Sequence, residues 1–162
     1  MIDFNNSGKR EKQILIVDDD ASIAWALDLI TFEYGKRTVV DSGNKAIKLM
    51  KAQKFDLILT DYEMQGGNGL DVLTYARNNK IEAPIIMITA YATKDLVLKT
   101  IEHDIFGVIV KPFNKDLVKN LVESALSGQK NRRLPFPWNY KTCAKIVLGA
   151  FSRNGMHHQI KN

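Results

Sequence analysis

The sequence predicts an α/β protein in which a doubly wound, five-stranded parallel sheet carries helices on both faces. Five short apolar runs are bounded by turn-forming residues, and the segments between them have apolar residues at helical spacing. Short unbroken apolar runs are typical of strands buried on both faces, and β-α alternation is typical of parallel sheets with right-handed crossovers. With 162 residues, the chain is long enough for one such domain and an additional segment.

The five predicted strands are distinguished by the residues that follow them. The first ends in three consecutive aspartates, the third in Asp61 and a glycine-rich turn, the fourth in Thr89, and the fifth in Lys111 and Pro112. The predicted strands are residues 14–17, 36–40, 55–60, 84–88 and 107–110.

The predicted helices fill the segments between these strands. In the first helix, Ile23, Leu27 and Ile30 recur at the spacing of one buried helical face. Asp20 precedes this helix and is predicted to cap it rather than to take part in chemistry. The fourth helix is short and weakly amphipathic. The predicted helices are residues 22–34, 43–53, 70–77, 94–103 and 114–126.

Composition limits where the protein works. The single cysteine, Cys143, excludes an internal disulfide framework and fits a reducing compartment. The N-terminal residues are polar and lack the apolar core of a signal peptide, and no apolar run approaches the ~20 residues that a membrane helix requires. We therefore expect a cytoplasmic protein without a membrane span.

The charges divide the chain into three parts. Residues 128–162 contain seven basic and no acidic residues, so the net charge of +5 splits into +7 for this tail and −2 for residues 1–127. We predict a disordered leader at 1–12, a folded domain at 13–127 and a basic tail at 128–162. The tail is interpreted as flexible or as folding on a partner, and the alternatives are binding to nucleic acid, to a membrane surface or to an acidic partner.

Polar groups gather at one edge of the predicted sheet. In open α/β sheets, ligands bind outside the carboxyl ends of the strands, and Asp18, Asp19, Asp61, Thr89 and Lys111 all lie at such ends. Three neighbouring carboxylates repel one another, and a hard divalent ion such as Mg²⁺ relieves that repulsion. A carboxylate in this setting can act as a nucleophile toward phosphorus, and a lysine ammonium can pair with the phosphoryl oxygens.

These groups stand in sequence motifs that resemble a known family, the receiver domains of two-component response regulators (the CheY-like superfamily). The resemblance covers about residues 12–127 and rests on Val17-Asp18-Asp19, Leu59-Thr60-Asp61 with Met64 and Gly69, Ile88-Thr89-Ala90, and Lys111-Pro112-Phe113. It implies a flavodoxin-like fold with the strand order 2-1-3-4-5 and a cis peptide bond before Pro112.

The resemblance also implies roles for single residues. Asp61 is the expected phosphoacceptor, and Thr89 and Lys111 are expected to contact the phosphoryl group. The implied cofactor is Mg²⁺, and its expected protein ligands are Asp18, Asp19, Asp61 and the backbone carbonyl of Glu63.

The implied function is a phosphorylation-dependent protein-interaction switch with no enzymatic activity beyond self-phosphotransfer and autodephosphorylation. Its expected partners are a histidine kinase or phosphotransfer protein, a downstream protein target, and a second copy bound through the face around residues 93–127. Two alternatives stay open: a nucleic-acid-binding transcriptional regulator that acts through the basic tail, and an unphosphorylated pseudo-receiver scaffold.

Several positions depart from the family pattern, and Asp104 and Ile105, which replace small residues before the fifth strand, are among them. Gln65 follows Met64 where the family usually has proline, so the loop after the third strand is expected to be looser. Val108 stands at the position of the family's aromatic switch residue, three before Lys111, which puts the usual route of signal propagation in doubt.

Overall fold

The computed structural model describes residues 10–90, Thr93, Lys99 and 103–128, and within this part five parallel strands form one sheet. The strand order is β2-β1-β3-β4-β5, which confirms the predicted class and order. The strands are β1 (Gln13–Val17), β2 (Lys36–Val40), β3 (Leu57–Asp61), β4 (Ile85–Thr89) and β5 (Gly107–Val110).

Four helices are described in full. They are α1 (Ala21–Thr31), which continues as a 3₁₀ turn (Phe32–Tyr34), α2 (Gly43–Ala52), α3 (Gly69–Asn78) and α4 (Lys115–Leu126). The predicted helix at 94–103 falls almost entirely outside the described residues, as do most of the predicted leader and the tail after Gly128. The homodimer face predicted around residues 93–127 is described only in part.

Asp61 is the last residue of β3 rather than the residue after it, which corrects the predicted strand of 55–60. The register pairs Asp61 with Ile88 of β4, and the N–H of Tyr62 donates to the Ile88 carbonyl at 2.7 Å. The strand begins at Leu57, and the preceding residue, Asp56, contacts the N-terminal segment. The Asp56 carboxylate contacts Arg10 (2.9 Å) and accepts a hydrogen bond from the N–H of Gln13 (2.8 Å).

The core lies in two layers, one on each face of the sheet. Successive residues of a strand point to opposite faces, so in β1 Leu15 and Val17 pack in one layer while Ile14 and Ile16 pack in the other. All four side chains are fully buried. This two-sided burial explains why the strands are unbroken apolar runs rather than alternating ones.

Helix α1 starts where the sequence predicts a cap. The Asp20 carboxylate accepts hydrogen bonds from the N–H groups of Ser22 (2.8 Å) and Ile23 (3.3 Å), which satisfies two amides of the first turn. The capping role predicted for Asp20 is therefore confirmed.

The outer face of α1 carries an unusual set of exposed apolar side chains. Trp25, Leu29 and Phe32 are 67%, 60% and 67% exposed, and their spacing places them along one side of the helix. We call these three residues the α1 outer stripe. Isolated exposed apolar residues are common, but a contiguous apolar strip is typical of a protein-interaction surface.

None of the helices in the described part of the chain combines the length and the apolar character that crossing a membrane requires.

Candidate functional site

The sheet order brings three strand ends together at one edge. Asp18 directly follows β1, Asp61 ends β3 and Lys111 directly follows β5. In the sheet, β3 and β4 lie between β1 and β5. The Lys111 ammonium bridges the two aspartates: its Nζ lies 3.2 Å from Asp18 Oδ2 and 3.1 Å from Asp61 Oδ1. Residues 93 positions apart in the chain thus share one ion-paired cluster.

Burial disfavours the charged forms of the groups in this cluster. Asp18 and Asp61 are only 2% and 5% exposed, because each is fixed by the end of an interior strand. Burial raises the pKa of both carboxyl groups above their usual value, and contacts with Lys111 oppose that rise without cancelling it. Burial alone would lower the pKa of Lys111, but its hydrogen bond to Asp61 and the neighbouring negative charges raise the pKa overall.

The third carboxylate, Asp19, is exposed and completes an oxygen cluster. Carboxylate oxygens from Asp18, Asp19 and Asp61 all lie within 4.8 Å of one another. Mg²⁺ binds oxygen ligands at about 2.0–2.1 Å, so opposite ligands of one ion lie about 4.2 Å apart. The donor set, three carboxylates, is of the kind that a small divalent cation binds, and the described residues contain an acidic pocket that could bind a metal.

An open depression of about 440 Å³ adjoins this cluster, and Asp19 and Glu63 lie in its wall. The remaining lining residues come from the loop after β3: Tyr62, Met64, Gln65 and Asn68. A small ligand can therefore approach Asp19 from solvent. The part predicted for the backbone carbonyl of Glu63 in metal binding stays a prediction.

Hydrogen bonds fasten the loop of residues 62–69 at its glycines. The N–H of Gly69 donates to the Tyr62 carbonyl at 3.1 Å, closing the loop on itself. The carbonyls of Gly66 and Gly67 accept hydrogen bonds from the first-turn amides of α2, at 3.1 and 3.0 Å. Both of these glycines have positive φ angles (75° and 98°), a conformation that glycine adopts without strain. These hydrogen bonds hold the loop at Gly66, Gly67 and Gly69, and the looseness expected from Gln65 stays a prediction.

Gln65 also contributes a contact that sequence reasoning missed. Its backbone N–H donates to Asp19 Oδ2 at 3.0 Å. The sequence holds no signal for such a contact, because a backbone amide is present in every residue except proline. The sequence shows only that position 65 is not proline, so that a backbone N–H is present there.

Thr89 and Lys111 are linked through the backbone. Thr89 is fully buried at the end of β4, and its carbonyl accepts a hydrogen bond from the Lys111 N–H at 2.7 Å. The peptide bond between Lys111 and Pro112 is cis, as the family resemblance implied. Val108 pairs with Met87 of β4, one residue pair before the pair that contains Ile88 and Ile109.

Comparison with solved structures supports the fold. The signal receiver domain of a putative LuxO repressor protein from Vibrio parahaemolyticus shares 27% identity with a TM-score of 0.69, covering 73% of this chain and 92% of that one. A CheY-like receiver domain protein from Methanospirillum hungatei gives a TM-score of 0.70 at 24% identity, covering 75% of this chain and 98% of that one.

Sequence comparison points the same way. The chain is 29% identical to the chemotaxis protein CheY of Pseudomonas aeruginosa, over 68% of this chain and 93% of that protein. It is also 29% identical to the DNA-binding transcriptional regulator NtrC of Salmonella typhimurium, over 75% of this chain. It spans only 26% of the length of that regulator. The model of the response regulator receiver domain matches residues 14–123, and the chain therefore belongs to the family of response regulator receiver domains.

Proposed function

We propose that this chain is a phosphorylation-dependent signalling switch in which Asp61 accepts a phosphoryl group from a histidine kinase or phosphotransfer protein. The observation that carries the proposal is the position of the Lys111 ammonium, 3.1 Å from Asp61 and 3.2 Å from Asp18 at a buried strand edge. The Asp61 carboxylate is thus held in one orientation toward a phosphoryl donor, with the positive charge of Lys111 beside it.

The proposed reaction is a nucleophilic displacement at phosphorus. A carboxylate oxygen of Asp61 forms a P–O bond while the P–N bond to the donor histidine breaks, and the imidazole leaves with the electron pair of that bond. The product is an acyl phosphate on Asp61. The Lys111 ammonium, already within hydrogen-bonding distance of Asp61, supplies positive charge where the phosphoryl oxygens gather.

Asp18, Asp19 and Asp61 are the residues that would hold a divalent ion such as Mg²⁺, and we include the backbone carbonyl of Glu63 in the same proposal. A metal ion bound there neutralises negative charge on the carboxylates and on the phosphoryl oxygens. Asp18 and Asp61 are held by Lys111, and Asp19 by the loop after β3. These contacts support the proposal, because they hold the three carboxylates in a fixed arrangement.

The response to phosphorylation is proposed to pass through Thr89 and Lys111 to the face around residues 93–127. Thr89 would donate its hydroxyl to the phosphoryl group, and its backbone already contacts Lys111. Converting a mostly inactive population into a mostly active one requires a preference of about 10⁴-fold for the active state. The output is proposed to be contact with a downstream protein, with no enzymatic activity beyond self-phosphotransfer and autodephosphorylation.

The α1 outer stripe is the proposed contact surface for the phosphodonor protein. Helix α1 begins directly after the aspartates at the end of β1, so a protein bound along Trp25 and Leu29 would stand next to the acidic site. The helix itself contains no lysine or arginine, and its exposed apolar side chains provide the area that a partner can bury. Histidine kinases and phosphotransfer proteins that supply Asp61 must bring their phosphohistidine to this edge.

A cytoplasmic location belongs to the same proposal, since the single cysteine fits a reducing compartment. Binding of nucleic acid through the tail stays a hypothesis, because residues 129–162 lie outside the described part of the chain.

The proposal is tested by intact-mass measurement after incubation with Mg²⁺ and acetyl phosphate, beside an Asp61→Asn variant. We expect one phosphoryl adduct that requires Mg²⁺ and is missing in the variant. If no adduct forms under conditions that label another receiver domain, the proposal is contradicted, and the chain would act as a scaffold without phosphoacceptor chemistry.

A further inference from the structure

The α1 outer stripe is an apolar surface in an acidic stretch of the chain. Trp25, Leu29 and Phe32 are each at least 60% exposed. The Phe32 ring already contacts a cation, since the guanidinium carbon of Arg37 lies 4.7 Å from the ring centroid. Residues 13–35 contain five acidic residues and no lysine or arginine. The stripe therefore matches a ligand that is both aromatic and basic.

The chain leaves the described domain close to this stripe. Helix α4 ends at Leu126, and Gly128 follows it with a φ angle of 68°. One turn before the end of α4, Glu123 Oε1 accepts a hydrogen bond from the Tyr34 hydroxyl at 2.7 Å. Tyr34 ends the 3₁₀ turn that begins at Phe32. The tail after Gly128 therefore starts next to the end of the stripe.

The tail contains an aromatic segment that matches the stripe in length. Phe136, Trp138 and Tyr140 occupy alternate positions, and a proline precedes each of the first two. The segment lies outside the described residues, and its prolines predict an extended backbone, in which alternate side chains share one side. Its three aromatic residues then span about 13 Å. The ends of the stripe lie seven residues apart, which is about 10 Å along a helix.

The connection between α4 and this segment is long enough and carries the matching charge. The eight residue steps from Gly128 to Phe136 reach at most about 26–29 Å. Packed helices lie about 8–10 Å apart, so the connection can pass around the end of α1. Three of the seven basic residues of the tail lie in this connection. Glu33, which pairs with Lys119, and Glu123 are both exposed where it leaves the domain.

We propose that the aromatic segment of residues 136–140 docks on the α1 outer stripe of the same chain and covers it. The contact would remove apolar surface on both sides from water, which is the main favourable contribution to such docking. A short connection also gives an effective concentration of about millimolar order, so a weak contact suffices. One consequence rests on the proposed function: a phosphodonor protein that binds the stripe must first displace the tail.

The single cysteine allows the contact to be measured without any substitution. Cys143 lies three residues after the aromatic segment and can carry a nitroxide spin label, which broadens the ¹H–¹⁵N NMR signals of nearby amides. In the labelled full chain, we expect the amides around Trp25 and Leu29 to lose most of their intensity, compared with the same sample after reduction of the nitroxide. The amides of α2 and α3, which pack on the other face of the sheet, should keep theirs.

Matched variants separate docking from the mere proximity of the tail. Leu29→Gln alters an exposed side chain of the stripe and should restore the α1 signals. Trp138→Gln should restore them from the side of the tail. Val39→Gln, at an exposed apolar position on β2, is the control and should leave the broadening unchanged. Equal intensities in α1, α2 and α3, or broadening of α1 that survives both Leu29→Gln and Trp138→Gln, would overturn the proposal.

A mixed sample distinguishes docking within one chain from docking on a second copy. Spin-labelled chain at natural isotope abundance is mixed with ¹⁵N-labelled Cys143→Ser chain, which cannot take up the label. We expect no broadening of α1 in this mixture. Broadening as strong as in the labelled single chain would overturn docking within the chain, because the tail would then bind a second copy. These samples contain neither Mg²⁺ nor a phosphodonor, so loss of the docking contact would leave the proposed function standing, and failure of acetyl phosphate labelling would leave the docking standing.

Discussion

Gly69 lies so close to the end of β3 that a Cβ atom added to it would be 2.2 Å from the carbonyl oxygen of Asp61. That neighbour is backbone and cannot rotate away. The close approach also lets the Gly69 N–H donate to the Tyr62 carbonyl and close the loop that carries Gln65. Helix α3 therefore starts against the proposed phosphoacceptor, and only glycine fits there.

Gly69→Ala should destabilise the protein by about 1–3 kcal/mol through this clash, even though alanine is the better helix former. Urea unfolding measures the change. Gly107→Ala is the matched control, because its added Cβ would approach only Cδ2 of Leu121 (3.1 Å), the end of a flexible side chain. A loss in Gly107→Ala equal to that in Gly69→Ala would contradict the close-contact explanation.

Lys111→Met should lower the free energy of unfolding of the metal-free protein by about 2 kcal/mol near neutral pH. The substitution leaves Asp18 and Asp61 buried without their shared cation, and breaking one side of a buried charged contact is costly. Lys119→Met is the control, since it breaks only a surface pair with Glu33 and should change stability little. Chemical unfolding in the presence of EDTA compares the two, and a Lys111→Met protein as stable as the control would count against the buried pair.

Mg²⁺ should stabilise the folded protein through Asp19 and not through its neighbour Asp20. At a metal concentration of about 100 times the dissociation constant, binding adds about 2.7 kcal/mol to the free energy of unfolding. Asp19→Asn should lose most of this increment. Asp20→Asn should keep this stabilisation by Mg²⁺. Asparagine still caps α1, and the carboxylate that is lost caps the helix rather than binding the metal. Thermal unfolding with and without Mg²⁺ measures both variants, and the reverse pattern would show that the metal ligands are assigned wrongly.

Trp25→Gln and Leu29→Gln should slow phosphoryl transfer from a phosphorylated histidine phosphotransfer protein that labels the unmodified chain. Central contacts of an interface commonly contribute more than about 1 kcal/mol, so we expect a decrease of about tenfold. Labelling by acetyl phosphate should stay unchanged, because this small donor needs no docking surface. Val39→Gln, an exposed apolar position on β2, is the control and should transfer normally. Equal transfer by all three variants would place the docking surface elsewhere.

The sequence predicted the sheet well because each interior strand is buried on both faces and therefore reads as an unbroken apolar run. The same rule placed Asp18, Asp61 and Lys111 at one edge, and the structure brings them into contact. The buried face of α1 was predicted less well. Leu27 is fully buried as expected, but Ile23 and Ile30 are only partly buried, and Ala24 is more buried than either. Helix α1 carries apolar residues around most of its circumference, so spacing alone does not identify the packed side.

Contacts made by polar groups over long sequence distances also escaped prediction. The Arg77 guanidinium, at the end of α3, donates to the carbonyls of Ile81 (2.8 Å), His103 (3.0 Å) and Asp104 (3.0 Å). It thereby fastens the segment that leads into β5. An arginine at a helix end has many possible partners, and only the assembled fold selects backbone carbonyls 26 residues away.

The central claim, that Asp61 is the phosphoacceptor, is tested most directly by locating the modified residue. The protein is labelled with acetyl phosphate in the presence of Mg²⁺ and then treated with borohydride, which reduces an aspartyl phosphate to homoserine. Peptide mass mapping should then find homoserine at position 61, and only in the sample that contained Mg²⁺. Homoserine at position 18 or 19, or at no position in a sample whose intact mass shows the phosphoryl adduct, would contradict the assignment.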